Sequence, residues 1–344
     1  MVFHHSGCRI MVLYTPPQPA SELPVIDIVA TAGGNEAACR ATAWEIHKAC
    51  RDTGFFYVSG HGVAADLIEA QFDWARRFFA LPPEQKAALH MKHSRSFAGY
   101  EPLAGQTLDA ASPPDLKEGY YYTADLPADD PHVQAGIRGY GSNQWPADAP
   151  GFDAVAFRAQ MLAYYTAMRN LGDRLLSLLA RSLDLAPDYF VPMYCKPNAV
   201  VRLLHYPPQP ESASFNQIGA GAHTDWGGIT LLAQDDSGGL EVQNTAGTWI
   251  TAPPVPGSFV VNLGDMVQRW TNDLYRSNMH RVLNRAAEPR DRYSVPFFYT
   301  PDHFSRIECL PGCSGPDRPA RYAPCLAGEH MMEMFNRSYG RRAG

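Results

Sequence analysis

The feature that most constrains this chain is a change of texture at Pro197. Beyond it, short runs of β-branched and aromatic residues alternate with Gly, Pro and Asp turns at spacings of about 8 to 12 residues. The runs are Val200 to Tyr206, Ile229 to Gln234, Leu240 to Gln243, Thr248 to Thr251, Phe259 to Leu263 and Tyr293 to Tyr299. That rhythm predicts a sandwich or barrel of antiparallel strands. Just before it lies the longest helical pattern, from about residue 152 to 183. Phe157, Met161, Tyr165, Met168, Leu175, Leu179 and Leu183 recur there at spacings dominated by three and four. Its Met and Tyr stripe reads as core packing, not as a cofactor box.

Upstream, Val25 to Ile28 and Phe55 to Val58 read as short apolar strands, the second stopped by Gly60-His61-Gly62, with His61 a turn residue. Helices are expected over Ala37 to Cys50 and Ala65 to Phe79, with a shorter one started by Leu81-Pro82-Pro83-Glu84. Residues 93–150 are rich in Gly, Pro and Asp and read as loops. A last helix is expected over Ala327 to Arg337, as a cap on the barrel mouth, with Glu329 and His330 as ordinary helix polarity. Helices first and strands second is an α+β arrangement with a mainly β core. It divides into an extension (1–22), an N-terminal region (23–150), the long helix (151–196) and a core with the C-terminal helix (197–344).

A chain of 344 residues admits two domains, although all-β barrels and sandwiches often exceed 200 residues as one. Hydrophobic content of 45% and charged content of 19% suit a soluble protein with a sizeable core. A net charge of −6 without a basic stretch argues against nucleic acid as a partner. No apolar run approaches the ~20 residues that span a bilayer. Met1 to Tyr14 makes a poor signal peptide, and Met11 is an alternative start. Seven scattered cysteines, an odd number, read as unpaired cytosolic thiols. The expectation is a cytoplasmic protein, monomer or small homo-oligomer, with neither membrane nor nucleic acid as partner.

Chemistry enters with His223-Thr224-Asp225. At a strand end, period-two geometry puts both side chains on one face, where imidazole and carboxylate can grip one divalent ion. Alone such a pair is usually surface polarity; His280, later in the β region, supplies a third ligand. Two His and one carboxylate leave open positions on an octahedral ion, the arrangement used by Fe(II) enzymes that bind a cosubstrate and O2. Twelve residues after His280 comes Arg292-Tyr293-Ser294, again with period two. A guanidinium beside a hydroxyl is a clamp for a carboxylate.

At this point the chain resembles the isopenicillin N synthase-like family of Fe(II)/2-oxoglutarate-dependent dioxygenases, nearly end to end. The likeness rests on Leu23-Pro24-Val25-Ile26-Asp27, Gly54-Phe55-Phe56-Tyr57-Val58, Asn143-Gln144-Trp145-Pro146, His205-Tyr206-Pro207-Pro208, His223-Thr224-Asp225-Trp226-Gly227, Gly238-Gly239-Leu240-Glu241-Val242, Asn262-Leu263-Gly264-Asp265, His280-Arg281-Val282 and Arg292-Tyr293-Ser294-Val295-Pro296. The resemblance implies a distorted double-stranded β-helix (jelly roll) with flanking helices. It implies that His223, Asp225 and His280 bind Fe(II), and that Arg292 and Ser294, with Tyr206, hold the distal carboxylate of 2-oxoglutarate. Relatives often have Asn where this chain has Leu204. The implied reaction uses O2 to oxidise, most simply hydroxylate, a C–H bond of a small molecule, releasing succinate and CO2.

Period two carries Phe298 to the face of Arg292 and Ser294, and Val282 and Leu232 are also expected inward. Arg202 suits either an anionic substrate group or an outward salt bridge. The segment Lys117 to Tyr122, read as a loop, offers Glu118 and Tyr120 as a further wall. Two rivals stand beside this reading: a 2-oxoglutarate-independent iron oxidase of the same fold, and a non-catalytic jelly-roll binding protein.

Overall fold

The computed structural model describes residues 19–339, apart from 110, 211–213, 215–216 and 285–288. The readings of Met1 to Tyr14 and of Met11 as a start lie outside the described residues.

In the N-terminal half, β1 (Val25–Asp27), α1 (Glu36–Asp52), β2 (Phe55–Ser59), α2 (Ala65–Phe79) and α3 (Pro83–Ala88) follow in order. Local chemistry sets their ends. The Asn35 side chain accepts from Ala38 N at 3.1 Å and caps α1. Gly54, with φ of 68°, turns the chain into β2. Next come β3 (Gly99–Glu101), β4 (Glu118–Tyr122), α4 (Pro131–Gln134) and the long α5 (Ala154–Ser182), capped by Asp153. The second half contributes β5 (Asn198–Tyr206), β6 (Ala220–His223), β7 (Ile229–Gln234), β8 (Leu240–Gln243), β9 (Trp249–Thr251) and β10 (Phe259–Leu263). It closes with α6 (Asp265–Trp270), β11 (His280–Val282), β12 (Arg292–Thr300) and α7 (Ala327–Tyr339).

These twelve strands form an eight-stranded sheet in the order β1-β2-β10-β7-β12-β5-β4-β3 and a four-stranded sheet in the order β6-β11-β8-β9, and a short pair, Arg306–Ile307 with Cys325–Leu326, stands apart. Neighbours in both are antiparallel except β1 with β2. Leu240, Val242, Ile250 and Val282 of the smaller sheet pack with Phe55, Tyr57, Leu204 and Val260 of the larger. The result is a jelly roll. Two expectations change here. Strands from the N-terminal half extend both edges of the large sheet, so the separation of helices from strands is incomplete. Glu118–Tyr122 is a strand between β3 and β5, because its aromatic run pairs on both sides.

The outer face of the large sheet carries the helices. Val201, Leu203, Val295, Phe297 and Tyr299 join Met161, Tyr165, Met168 and Leu175 of α5 in one buried layer, so the Met and Tyr stripe is core. A Cβ at Gly172 would stand 2.7 Å from the Tyr299 ring, so α5 reaches the sheet only with glycine there. Burying the Phe297 side chain contributes roughly 1.5–3 kcal/mol.

Also on this outer side, Glu118 accepts from Lys86 Nζ at 2.9 Å and Tyr100 Oη at 2.5 Å, and meets His205 Nδ1 at 2.8 Å. His205 Nε2 meets Asp291 Oδ1 at 2.7 Å. Burial opposes a charge on His205, but the hydrogen bonds to the two carboxylates outweigh it and hold its pKa above the ordinary value. A pKa raised by folding gives stability that is complete below the unfolded-state value, about 6.5, and is lost as pH rises through the folded one. The drop in thermal unfolding midpoint caused by His205→Gln should therefore be larger near about pH 5.5 than near about pH 9. Equal drops at both pH values would contradict a charged His205.

Candidate active site

The site lies inside the roll. Period two, which buries Val201 and Leu203 under α5, turns Val200, Arg202, Leu204 and Tyr206 of β5 inward. On β12 the same alternation turns Arg292, Ser294, Pro296, Phe298 and Thr300 into one cavity.

At one side of this cavity His223 ends β6 and pairs in register with His280 of β11, their ring centroids 4.2 Å apart. Asp225 follows after Thr224. The Nε2 atoms of His223 and His280 stand 3.9 and 3.7 Å from Asp225 Oδ1. Those separations are too long for hydrogen bonds. One ligand atom from each residue lies within 4.8 Å of the others, the one such group found among the described residues.

Two of the three ligands are held closely from behind. His223 Nδ1 lies 2.7 Å from Gly221 O, a contact that needs the proton on Nδ1 and leaves the Nε2 lone pair facing Asp225. Asp225 Oδ2 accepts from Thr230 Oγ1 at 2.6 Å and Asn262 Nδ2 at 2.7 Å, leaving Oδ1 toward the imidazoles. Burial, then the neighbouring His280, pushes the His223 pKa well down, so it is neutral. Burial alone would raise Asp225, but the neighbouring His280 and the hydrogen bonds from Asn262 and Thr230 outweigh it and hold its pKa below the ordinary value, so the carboxylate is ionised. Neutral imidazole and ionised carboxylate are the protonation states a divalent ion requires. The donor set therefore fits such an ion.

The loop after Asp225 docks on the junction of β10 and α6. Gly264 N donates to Gly228 O at 2.7 Å and Asp265 N to Asp225 O at 2.8 Å. A Cβ at residue 264 would stand 2.3 Å from Gly227 O, so this approach requires glycine.

Further along the large sheet, Arg292 pairs in register with Tyr206, and Ser294 with Leu204. All four are buried. Arg292 Nε donates to Gly238 O at 2.7 Å, Nη1 to Ser294 Oγ at 3.3 Å and Nη2 to Gln234 Oε1 at 3.4 Å, with Cζ 4.6 Å from the Tyr206 ring. Leu204, apolar, adds no polar contact opposite Ser294.

Of the expected wall residues, Phe298, Arg202, Leu232 and Val282 line the cavity. Glu118 and Tyr120 do not. Pairing of Tyr121 with Arg202 turns Tyr121 and Lys117 inward, and Glu118 and Tyr120 toward the helices. Tyr120 Oη there donates to Gln144 O at 2.7 Å. The last helix lies at the mouth as expected, but the sequence reading named none of its lining residues. Gly328, Met331, Met332 and Phe335 of α7 line it, and His330 is more than helix polarity: its Nε2 lies 3.1 Å from Trp226 O and ties α7 to the loop beside Asp225. Met331 and Phe335, four apart on that helix, are the one signal that an apolar face was present. Gln234 and the Gly238 carbonyl, which hold Arg292, carried none.

Residues 23–148 match the family model described as non-haem dioxygenase in morphine synthesis N-terminal, and residues 197–301 that of the 2OG-Fe(II) oxygenase superfamily. The chain is 40% identical over 323 residues to a 2-oxoglutarate-Fe(II) type oxidoreductase of Emericella nidulans, covering 92% of this chain and 90% of that protein. It is 42% identical over 282 residues to a 2-oxoglutarate-dependent dioxygenase of Monascus ruber, covering 80% and 84%. The crystal structure of a full-length Neurospora crassa protein in complex with alpha-KG superposes with a TM-score of 0.82 at 29% identity, over 93% of this chain and 98% of that one. The chain belongs to the 2-oxoglutarate-Fe(II) oxygenase superfamily, as a non-haem dioxygenase.

Proposed function

We propose that His223, Asp225 and His280 hold a single Fe(II) in this enzyme, and that Arg292, Ser294 and the Tyr206 hydroxyl hold the distal carboxylate of 2-oxoglutarate. The observation that carries the reading is that a trio of metal-ligand atoms and a buried arginine–hydroxyl pair line one cavity. Bound Fe(II) supplies the activation of O2 that couples decarboxylation of 2-oxoglutarate, to succinate and CO2, with oxidation of a substrate C–H bond.

The chain's own residues prepare that chemistry. Gly221 O fixes the His223 tautomer, and Thr230 and Asn262 fix which oxygen Asp225 presents. Gly238 O and Gln234 aim the Arg292 guanidinium before the cosubstrate arrives, so little ordering is left for binding. Phe298, Leu232 and Val282 wall the substrate position and keep water from it. The 2-oxoglutarate-independent oxidase and the non-catalytic binding protein are not favoured. The two relatives described above carry 2-oxoglutarate in their names, and the Neurospora crassa structure was solved with alpha-KG bound.

In the same reading the protein acts in the cytoplasm on a small molecule, as a monomer or small homo-oligomer and without nucleic acid. Six free cysteines among the described residues and a net charge of −6 support this. Among the described residues no helix is long and apolar enough to cross a membrane.

Under air with Fe(II), consumption of 2-oxoglutarate should yield equimolar succinate. Arg292→Gln, which removes a charged bidentate donor, should raise the KM for 2-oxoglutarate by about tenfold or more while Fe(II) affinity moves by less than about twofold. An unchanged KM would remove Arg292 from the clamp. Asn262→Ala releases Asp225 Oδ2 and should weaken Fe(II) affinity by about 10–100-fold in a direct metal titration. Unaltered affinity would mean that Asn262 does not position the ligand.

A further inference from the structure

We infer that the substrate is a small planar organic anion, a carboxylate in the simplest case, whose acidic group is received by Arg202. This rests on the metal and cosubstrate reading above and says what fills the rest of the same cavity.

The first ground is position. Arg202 faces inward four residues before Tyr206 on β5, roughly 13 Å along the strand from the carboxylate clamp at about 3.3 Å per residue. Leu204, apolar, stands between them on the same face. Besides Arg292, the β5–β12 pair thus turns a second guanidinium, Arg202, into the cavity, four strand positions along from the clamp.

The second ground is how Arg202 is held. Its Cζ is 4.5 Å from the Tyr121 ring and 4.7 Å from the Phe298 ring. Tyr121 is its register partner on β4, and the Tyr121 hydroxyl is itself tied to Glu101. Two rings lie against the guanidinium and restrict it, and a guanidinium offers in-plane N–H donors that match a carboxylate edge to edge.

The third ground is charge. The lining contains the cationic Lys117, Arg138, Arg202 and Arg292, and Asp225 as its one carboxylate among the described residues. Asp225 belongs to the metal position, Arg292 to the cosubstrate, and Lys117 pairs with Asp115 at 2.6 Å. Arg138, stacked on Phe97 at 4.8 Å and Phe335 at 5.6 Å, also lines the adjoining surface pocket. An anion entering past Arg138 toward Arg202 passes positive charge, whereas an amine is repelled at the same places. Phe298, Tyr121, Phe97, Phe335 and Trp226 supply flat walls, which favour an unsaturated ring as the body of the molecule.

The test uses the full chain loaded with Fe(II) and 2-oxoglutarate in the absence of O2. Benzoate, 2-naphthoate and indole-3-carboxylate are each titrated beside the matching primary amide. The best-fitting acid should bind about tenfold or more tighter than its amide. The preference should fall to about twofold or less in Arg202→Gln and survive in part in Arg202→Lys, with 2-oxoglutarate affinity moved by less than about twofold. The proposal is overturned if no acid binds, if amides bind as tightly as acids, or if the preference survives Arg202→Gln. The wild-type comparison stands even where a variant does not fold. Failure of the wild type to bind 2-oxoglutarate, seen before any acid is added, overturns instead the reading on which the proposal rests.

Discussion

The antiparallel pairing of β5 with β12, running from Arg292 opposite Tyr206 to Thr300 opposite Asn198, sorts the side chains of both strands between two environments. Val201, Leu203, Val295, Phe297 and Tyr299 go to the apolar layer under α5. Arg202, Tyr206, Arg292, Ser294 and Phe298 go to the cavity. A slip of one residue would exchange the two sets, driving guanidinium groups under α5 and Phe297 into the cavity. Burying a charge without compensation costs several kcal/mol per ion, so the hydrophobic layer on one face enforces the polar arrangement on the other.

The metal position depends on the second sheet and on how the two sheets meet. His223 and His280 face each other across β6 and β11 of the smaller sheet. The residues that fix Asp225, Thr230 and Asn262, belong to β7 and β10 of the larger one. The trio thus bridges the roll. Its geometry is set by the packing of both sheets, and the close contact of Gly264 with Gly227 keeps the bridging loop seated.

What is legible in the sequence is what short-range periodicity controls. Arg292 and Ser294 are two apart within β12, so their shared direction follows from pleating; His223 and Asp225 show the same spacing at the end of β6, where Thr230 and Asn262 complete the aim of Asp225. The long helix is equally plain, since Met161, Met168 and Leu175 keep one face. Glu118 and Tyr120 are misjudged for a reason of the same kind: with β4 read as a loop, nothing chooses which alternate residues face inward. That choice comes from pairing with β5, more than 80 residues later, as in Glu118 opposite His205. The spacing of Met331 and Phe335 marks an apolar face on α7, but which residues line the mouth depends on where that helix docks, through His330 on the Trp226 carbonyl.

The central claim is that the His–Asp–His trio and the Arg292 clamp form one site, bridged by one cosubstrate. Equilibrium titration of 2-oxoglutarate without O2, with and without Fe(II), tests it most directly. Two anchors on one ligand require reciprocal coupling, so Fe(II) should tighten 2-oxoglutarate binding by about tenfold or more, and His280→Ala should abolish that gain. A 2-oxoglutarate affinity independent of Fe(II) would contradict the claim and leave the two clusters as separate sites.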